Sequence, residues 1–203
     1  NRIVADDLFN ESHQGDNHLC SASKVQQIEN SFGLNYIKNM NLSDELEKEL
    51  VKQSLYRLVL HEVGHTLGLN HNFKASTLLS NDELNDKAIV NERGVTSSVM
   101  DYPAINITKD PNNQGLYFDV KPGYYDMWAI EFGYTEYNES ENEDNLLADI
   151  LSRSTEKELA FANDALDMRS PGRGTDPNAM IYDLSNTQIE HSNDKIEMIF
   201  EIF

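Results

Sequence analysis

Val51, Leu55, Val59, Val63 and Leu67 form an unbroken apolar row at four-residue steps. Residues four apart lie one above another on a helix face, so the row predicts a long helix from about Asp44 to Leu67. Leu46, Leu50 and Leu58 follow a second row that leads to His61. The second half of this helix is thus apolar on two sides, the pattern of a helix buried at the centre of a domain. Ser43 is a good N-cap, and Asp44, Glu45 and Glu47 complement the helix dipole in the first turn.

The remaining chain patterns more weakly. A short strand is expected around Ile3–Val4, then a polar, loop-like stretch over 10–24. Residues 74–98 are polar with scattered apolar positions and room for a short helix near Asp82–Val90, and 106–123 read as loop. A second helix is expected from about Tyr125 to Phe132, ended by Gly133, with Asp126 as a cap and Trp128 in the core. Glu139–Asp144 reads as an acidic surface segment, Asn145–Ser152 as a helix, Glu158–Ala162 as a strand and 169–178 as a long loop, with one more helix in the tail. No internal repeat is found. The expected class is α+β, mainly helical, with residues 1–203 as one domain.

Chemistry concentrates in the run His61-Glu62-Val63-Gly64-His65-Thr66-Leu67-Gly68-Leu69-Asn70-His71. His61 and His65 sit one helical turn apart and can point ring nitrogens at one ion. Glycine at Gly68 can adopt a left-handed conformation, end the helix and turn the chain. His71 then approaches from a new direction. Three neutral imidazoles suit zinc and leave a fourth position open for water, the catalytic arrangement. Zinc lowers the pKa of such a water to about 7, and Glu62 adjoins the first ligand as its general base.

This pattern resembles the metzincin metallopeptidases, whose signature is H-E-x-x-H-x-x-G-x-x-H followed by a Met-turn. The second element matches at Ser97-Ser98-Val99-Met100-Asp101-Tyr102-Pro103. The resemblance implies that Met100 forms an apolar floor beneath the ligands and that Tyr102 stabilises the oxyanion of the tetrahedral intermediate. More narrowly, His71-Asn72-Phe73-Lys74-Ala75-Ser76 and Tyr125-Asp126-Met127-Trp128-Ala129-Ile130-Glu131-Phe132-Gly133-Tyr134 look like a group of large zinc-dependent metalloproteases found mainly in Bacteroidetes. That likeness is good over about 45–135 and loose in the tail. Asn72 departs from the well-studied metzincin branches, so their substrate preferences do not transfer.

The resemblance divides the domain into an upper part, 1–71, carrying the zinc helix, and a lower part, 72–203, with Met-turn and C-terminal helices. Metzincins carry a mixed sheet before the zinc helix, whose edge strand pairs the substrate. Few of the residues before His61 alternate with a strand's period of two. The sheet is therefore expected to be reduced or to lie partly in chain beyond this piece. The activity implied is a zinc-dependent endopeptidase acting on protein or peptide substrates, located extracellularly, in a periplasm or on the outer cell surface. Its export signal would lie upstream of Asn1, which opens the chain in place of methionine. Two alternatives stand beside it: a non-catalytic, zinc-stabilised binding module whose site is closed by a fourth protein ligand, and an amidase acting on a non-protein amide.

Composition narrows the partners. Asp and Glu number 35 against 16 Lys and Arg, a net charge of -19, and no basic cluster offers a nucleic-acid surface. No run of apolar residues is long enough for a transmembrane helix. The single cysteine, Cys20, excludes an intrachain disulfide framework. His13 and His18 lie near it, but their spacing matches no metal pattern. Asp110-Pro111-Asn112-Asn113-Gln114-Gly115 is faintly like a calcium loop, with Lys121 where the closing glutamate belongs. It reads as a turn, with calcium binding as the lesser alternative.

Overall fold

The long helix forms where its apolar rows predict it, but it faces the other way. A computed structural model describes residues 22–136, 142–167 and 174–202. It contains helices α1 (Ala22–Asn39), α2 (Asp44–Thr66), α3 (Asn81–Leu84), α4 (Lys87–Arg93), α5 (Tyr124–Tyr134), α6 (Glu143–Ser152) and α7 (Gln188–Ile202). The expected strand at Ile3–Val4, the residues His13, His18 and Cys20, and parts of 139–144 and 169–178 lie outside the described residues.

The row Val51, Leu55, Val59, Val63 and Leu67 is 42–60% exposed, so α2 is not a central helix enclosed on two sides. Its buried face is instead Leu50, Gln53, Ser54, Arg57, His61 and Gly64. Polar groups tolerate burial when each finds a partner, and these do. Gln53 Oε1 accepts from Tyr117 N at 2.7 Å, and Ser54 Oγ accepts from Gln26 Nε2 at 2.7 Å and Asn30 Nδ2 at 2.6 Å. Ser43 stands at the N-cap position without making a side-chain cap bond. Helix α1, which the apolar pattern did not predict and which begins inside the expected loop 10–24, has the same character. Its buried face includes Val25, Gln26, Glu29, Gly33 and Ile37, and Glu29 accepts from Ile105 N at 2.8 Å and pairs with Lys195 of α7 at 2.9 Å.

Helices α1 and α2 pack together, with α7 against α1 and α3. Tyr36, Ile37, Leu50, Ile105, Ile107 and Phe118 form one core cluster; Leu78, Leu79, Leu84, Val90 and Val95 form another. Between them runs irregular chain, and residues 94–108 are buried without a break. Buried backbone needs partners, and side chains supply many of them here. Asp119 accepts from Val95 N at 2.7 Å and Thr96 N at 3.1 Å, while Gln114 Oε1 accepts from Thr108 N at 3.0 Å.

No strand forms among the described residues. The expected strand at Glu158–Ala162 is a 3-10 turn, Lys157–Leu159, followed by irregular chain. Its Ala160 and Ala162 bond to one side chain and one backbone amide instead of a neighbouring strand. The helix placed near Asp82–Val90 is two, α3 and α4, divided because Asp86 caps α4 through Ala88 N and Ile89 N. Gly133 does not end α5, which continues to Tyr134, with Thr135 as C-cap. Trp128 is half-buried and donates from Nε1 to Ile150 O at 2.8 Å. The calcium alternative is not supported. Asp110 is used capping the turn Pro111–Asn113, Lys121 donates to Glu92 O, and no acidic cluster there gathers ligands among the described residues.

Candidate metal centre

His61, His65 and His71 come together, with ligand atoms within 4.8 Å of one another. Helix α2 places the first two on one face, and their rings meet edge to face at 4.8 Å. Gly68, with φ of 88°, then breaks the helix; Gly68 N donates to His65 O and Leu69 N to Gly64 O, both at 3.0 Å. Nothing crowds Gly68, so glycine is required there by conformation alone. The turn carries His71 back, its ring 4.8 Å from that of His65.

Each imidazole is held through Nδ1. His61 Nδ1 lies 2.7 Å from Val99 O, and His65 Nδ1 lies 3.1 Å from Leu69 O. His71 Nδ1 lies 3.0 Å from both carboxylate oxygens of Asp164. Carbonyls and carboxylates only accept, so the protons sit on Nδ1 and the unprotonated Nε2 of each ring is the candidate ligand atom, that of His71 accepting from the Tyr102 hydroxyl at 2.9 Å. Burial, with the Arg57 guanidinium nearby, pushes His61 down to about 3 and keeps it in the neutral, ligating form. This donor set fits zinc. No Cys, Asp or Glu among the described residues joins the three histidines.

The turn at Val99–Met100 lies against α2. Met100 is fully buried, and a methyl group added at Gly64 would collide with its sulfur. Gly64, between the two helical histidines, thus lets Met100 pack directly on the helix backbone. Arg57, one turn before His61, is 3% exposed and donates to Val99 O at 3.0 Å and to Asp101 O. From the other side Asp126 of α5 accepts from Ser98 Oγ at 2.5 Å, Val99 N at 2.9 Å and Gly123 N at 2.7 Å. It therefore caps its helix and holds the turn at once. The Asp101 carboxylate accepts from Ser76 N at 2.7 Å; burial and the nearby Asp183 push its pKa well up.

Tyr102 is buried, with its hydroxyl 2.9 Å from His71 Nε2. Glu62 is exposed, next to His61 on α2. A family model described as Met-zincin matches residues 43–203. The chain belongs to the Met-zincin family. Met-zincins are zinc-dependent peptidases, and the three histidines of this one lie close enough to bind a metal. No curated protein and no solved structure matched the chain. No described helix of this Met-zincin is long and apolar enough to cross a membrane.

Four residues of the centre escape a reading of the motif. Arg57 and Asp164 carry no local signal, since their partners lie 42 and 93 residues away. Gly64 occupies a variable position of the signature, and only a glycine on a helix face opposite a methionine hints at close packing. Asn72 stands out by type alone.

Proposed function

We propose that this Met-zincin is a zinc-dependent endopeptidase, exported to act on protein or peptide substrates. The observation that carries the reading is the commitment of all three Nδ1 atoms to acceptors, which makes Nε2 the ligand atom of each ring, in a set gathered within 4.8 Å. His61, His65 and His71 would hold it. A zinc ion so bound supplies Lewis acidity and acidifies water to a pKa of about 7.

The protein's own groups then divide the work. Glu62, beside the first ligand and open to solvent, takes the proton of the attacking water and returns it to the leaving amine. The Tyr102 hydroxyl stands on the Nε2 side of His71 and donates a hydrogen bond to the oxyanion. Met100, in the role of the Met-turn residue, keeps the space under the helical ligands apolar and filled. The absence of a fourth Cys, Asp or Glu from the described cluster favours this reading over a closed, purely structural zinc site.

The test is cleavage of an unstructured protein with and without a chelator, for the wild type and Glu62→Gln. The variant should keep stoichiometric zinc and lose at least about a hundredfold in kcat/KM, the low end for general base catalysis. Equal turnover by the two proteins would overturn the assignment.

A further inference from the structure

The third histidine is held differently from the other two. His61 and His65 ride on a helix, whereas His71 lies in irregular chain beyond Gly68. A ring on such a segment needs an external hold to keep one orientation. Asp164 supplies it at Nδ1, at 3.0 Å through both carboxylate oxygens and from 93 residues downstream, while the Tyr102 hydroxyl lies 2.9 Å from Nε2.

Asn72 explains how a residue so distant arrives there. It is fully buried, and both ends of its amide are used on the segment that leads to Asp164. Nδ2 donates to Ala160 O at 3.0 Å, and Oδ1 accepts from Ala162 N at 3.1 Å. Phe73 N adds a bond to Ala162 O at 2.8 Å. The chain next to His71 and the chain just before Asp164 are therefore joined by three bonds. Asn163 then bends the backbone, accepting from Ala165 N at 3.1 Å. The Phe73 ring stacks on that of His71 at 5.2 Å and 26°, closing the other side.

We propose that Asp164 is the positioning residue of the third metal ligand, and that Asn72 sets its place. The carboxylate keeps the His71 proton on Nδ1, aims Nε2 at the other two ligands and raises its donor strength. This inference rests on the reading of the three histidines as zinc ligands.

Zinc affinity by competition with a chromophoric chelator, and the tautomer of His71 by 15N NMR of the zinc-free protein, test it together. Asp164 is 63% exposed, so its substitution leaves the core intact. Asp164→Ala should weaken zinc about 10–100-fold and release His71 into a mixture of tautomers, with His61 and His65 unchanged. Asp164→Asn, whose amide oxygen still accepts from Nδ1, should fall between. Asn72→Ala should reproduce the tautomer mixture at His71 alone. Zinc affinity of Asp164→Ala within about twofold of wild type, or a wild-type His71 protonated on Nε2, would overturn the proposal. Should the wild type take up no zinc, the metal reading fails, and the His71 tautomer in the zinc-free proteins still decides the role of Asp164.

Discussion

Alanine at Gly64 is expected to change the sign of its effect with the residue at 100. In a helix interior alanine is favoured over glycine by about 1 kcal/mol. At Gly64 the added methyl would meet the Met100 sulfur, and Met100 is fully enclosed, with no open side to move toward. Overpacking of this kind costs about 1–3 kcal/mol. Gly64→Ala alone should therefore range from neutral to about 2 kcal/mol destabilising. Met100→Ala removes the obstacle, at the expense of about 2–5 kcal/mol for a vacated core position. In that background Gly64→Ala should stabilise by up to about 1 kcal/mol. The double-mutant cycle then shows a coupling of about 1–3 kcal/mol. Urea unfolding of the zinc-free wild type, the two single variants and the double variant measures it. A coupling below about 0.5 kcal/mol, the spread expected of independent sites, would mean that Met100 does not lie on Gly64. The role of Met100 beneath the ligands would fall with it.

Two further outcomes follow from the fold. Val59 is 60% exposed on the open row of α2. Val59→Lys should therefore change unfolding free energy by no more than about 0.5 kcal/mol, and a loss above about 2 kcal/mol would show the row to be covered. His191 is buried, its Nε2 has no partner among the described residues, and desolvation with the charge of Lys195 pushes its pKa from 6.5 down to about 4. The unfolded chain then takes up the proton first. The stability contribution of the neutral ring is present above pH 6.5 and is lost as pH falls from 6.5 through about 4, by roughly 3 kcal/mol in total. Chemical unfolding across that window should show a shallower loss for His191→Gln, and parallel profiles would refute the assignment.

The histidine motif was legible in the sequence because its spacing is local: one helical turn and one glycine bring the three rings together. The start of α2 at Asp44 and the tail helix were legible for the same reason. The buried face of α2 was not. Hydropathy places a row such as Val51, Leu55 and Val59 inward only when apolar contact decides burial, whereas Gln53, Ser54 and Arg57 are buried because distant backbone and side-chain groups satisfy them. Helix α1 hides by the same means, with Gln26 and Glu29 on its inner face. The chain up to residue 98 reads as polar connection, yet over 94–98 its polarity serves burial, since Thr96 and Ser98 are hydrogen-bonded inside, as is Asp101 in the turn that follows. Asp126 shows a limit of another kind: its place in the sequence reads as a helix cap, and the same carboxylate also anchors the turn at Val99.

The bonds that shape the turn at Val99–Met100 and the setting of His71 also bear on the order of folding. The helix alone brings His61 and His65 to one face, while the hold on the His61 ring comes from Val99 O, 38 residues away. The third ring waits on Asp164, 93 residues away, and the turn that holds His61 waits on Asp126, 27 residues from Val99. Contacts that close long loops form slowly. An incompletely folded chain thus presents a helix with a pair of donors, and the tridentate set appears only when the last long-range contacts close, so that tight metal uptake doubles as a readout of a finished fold.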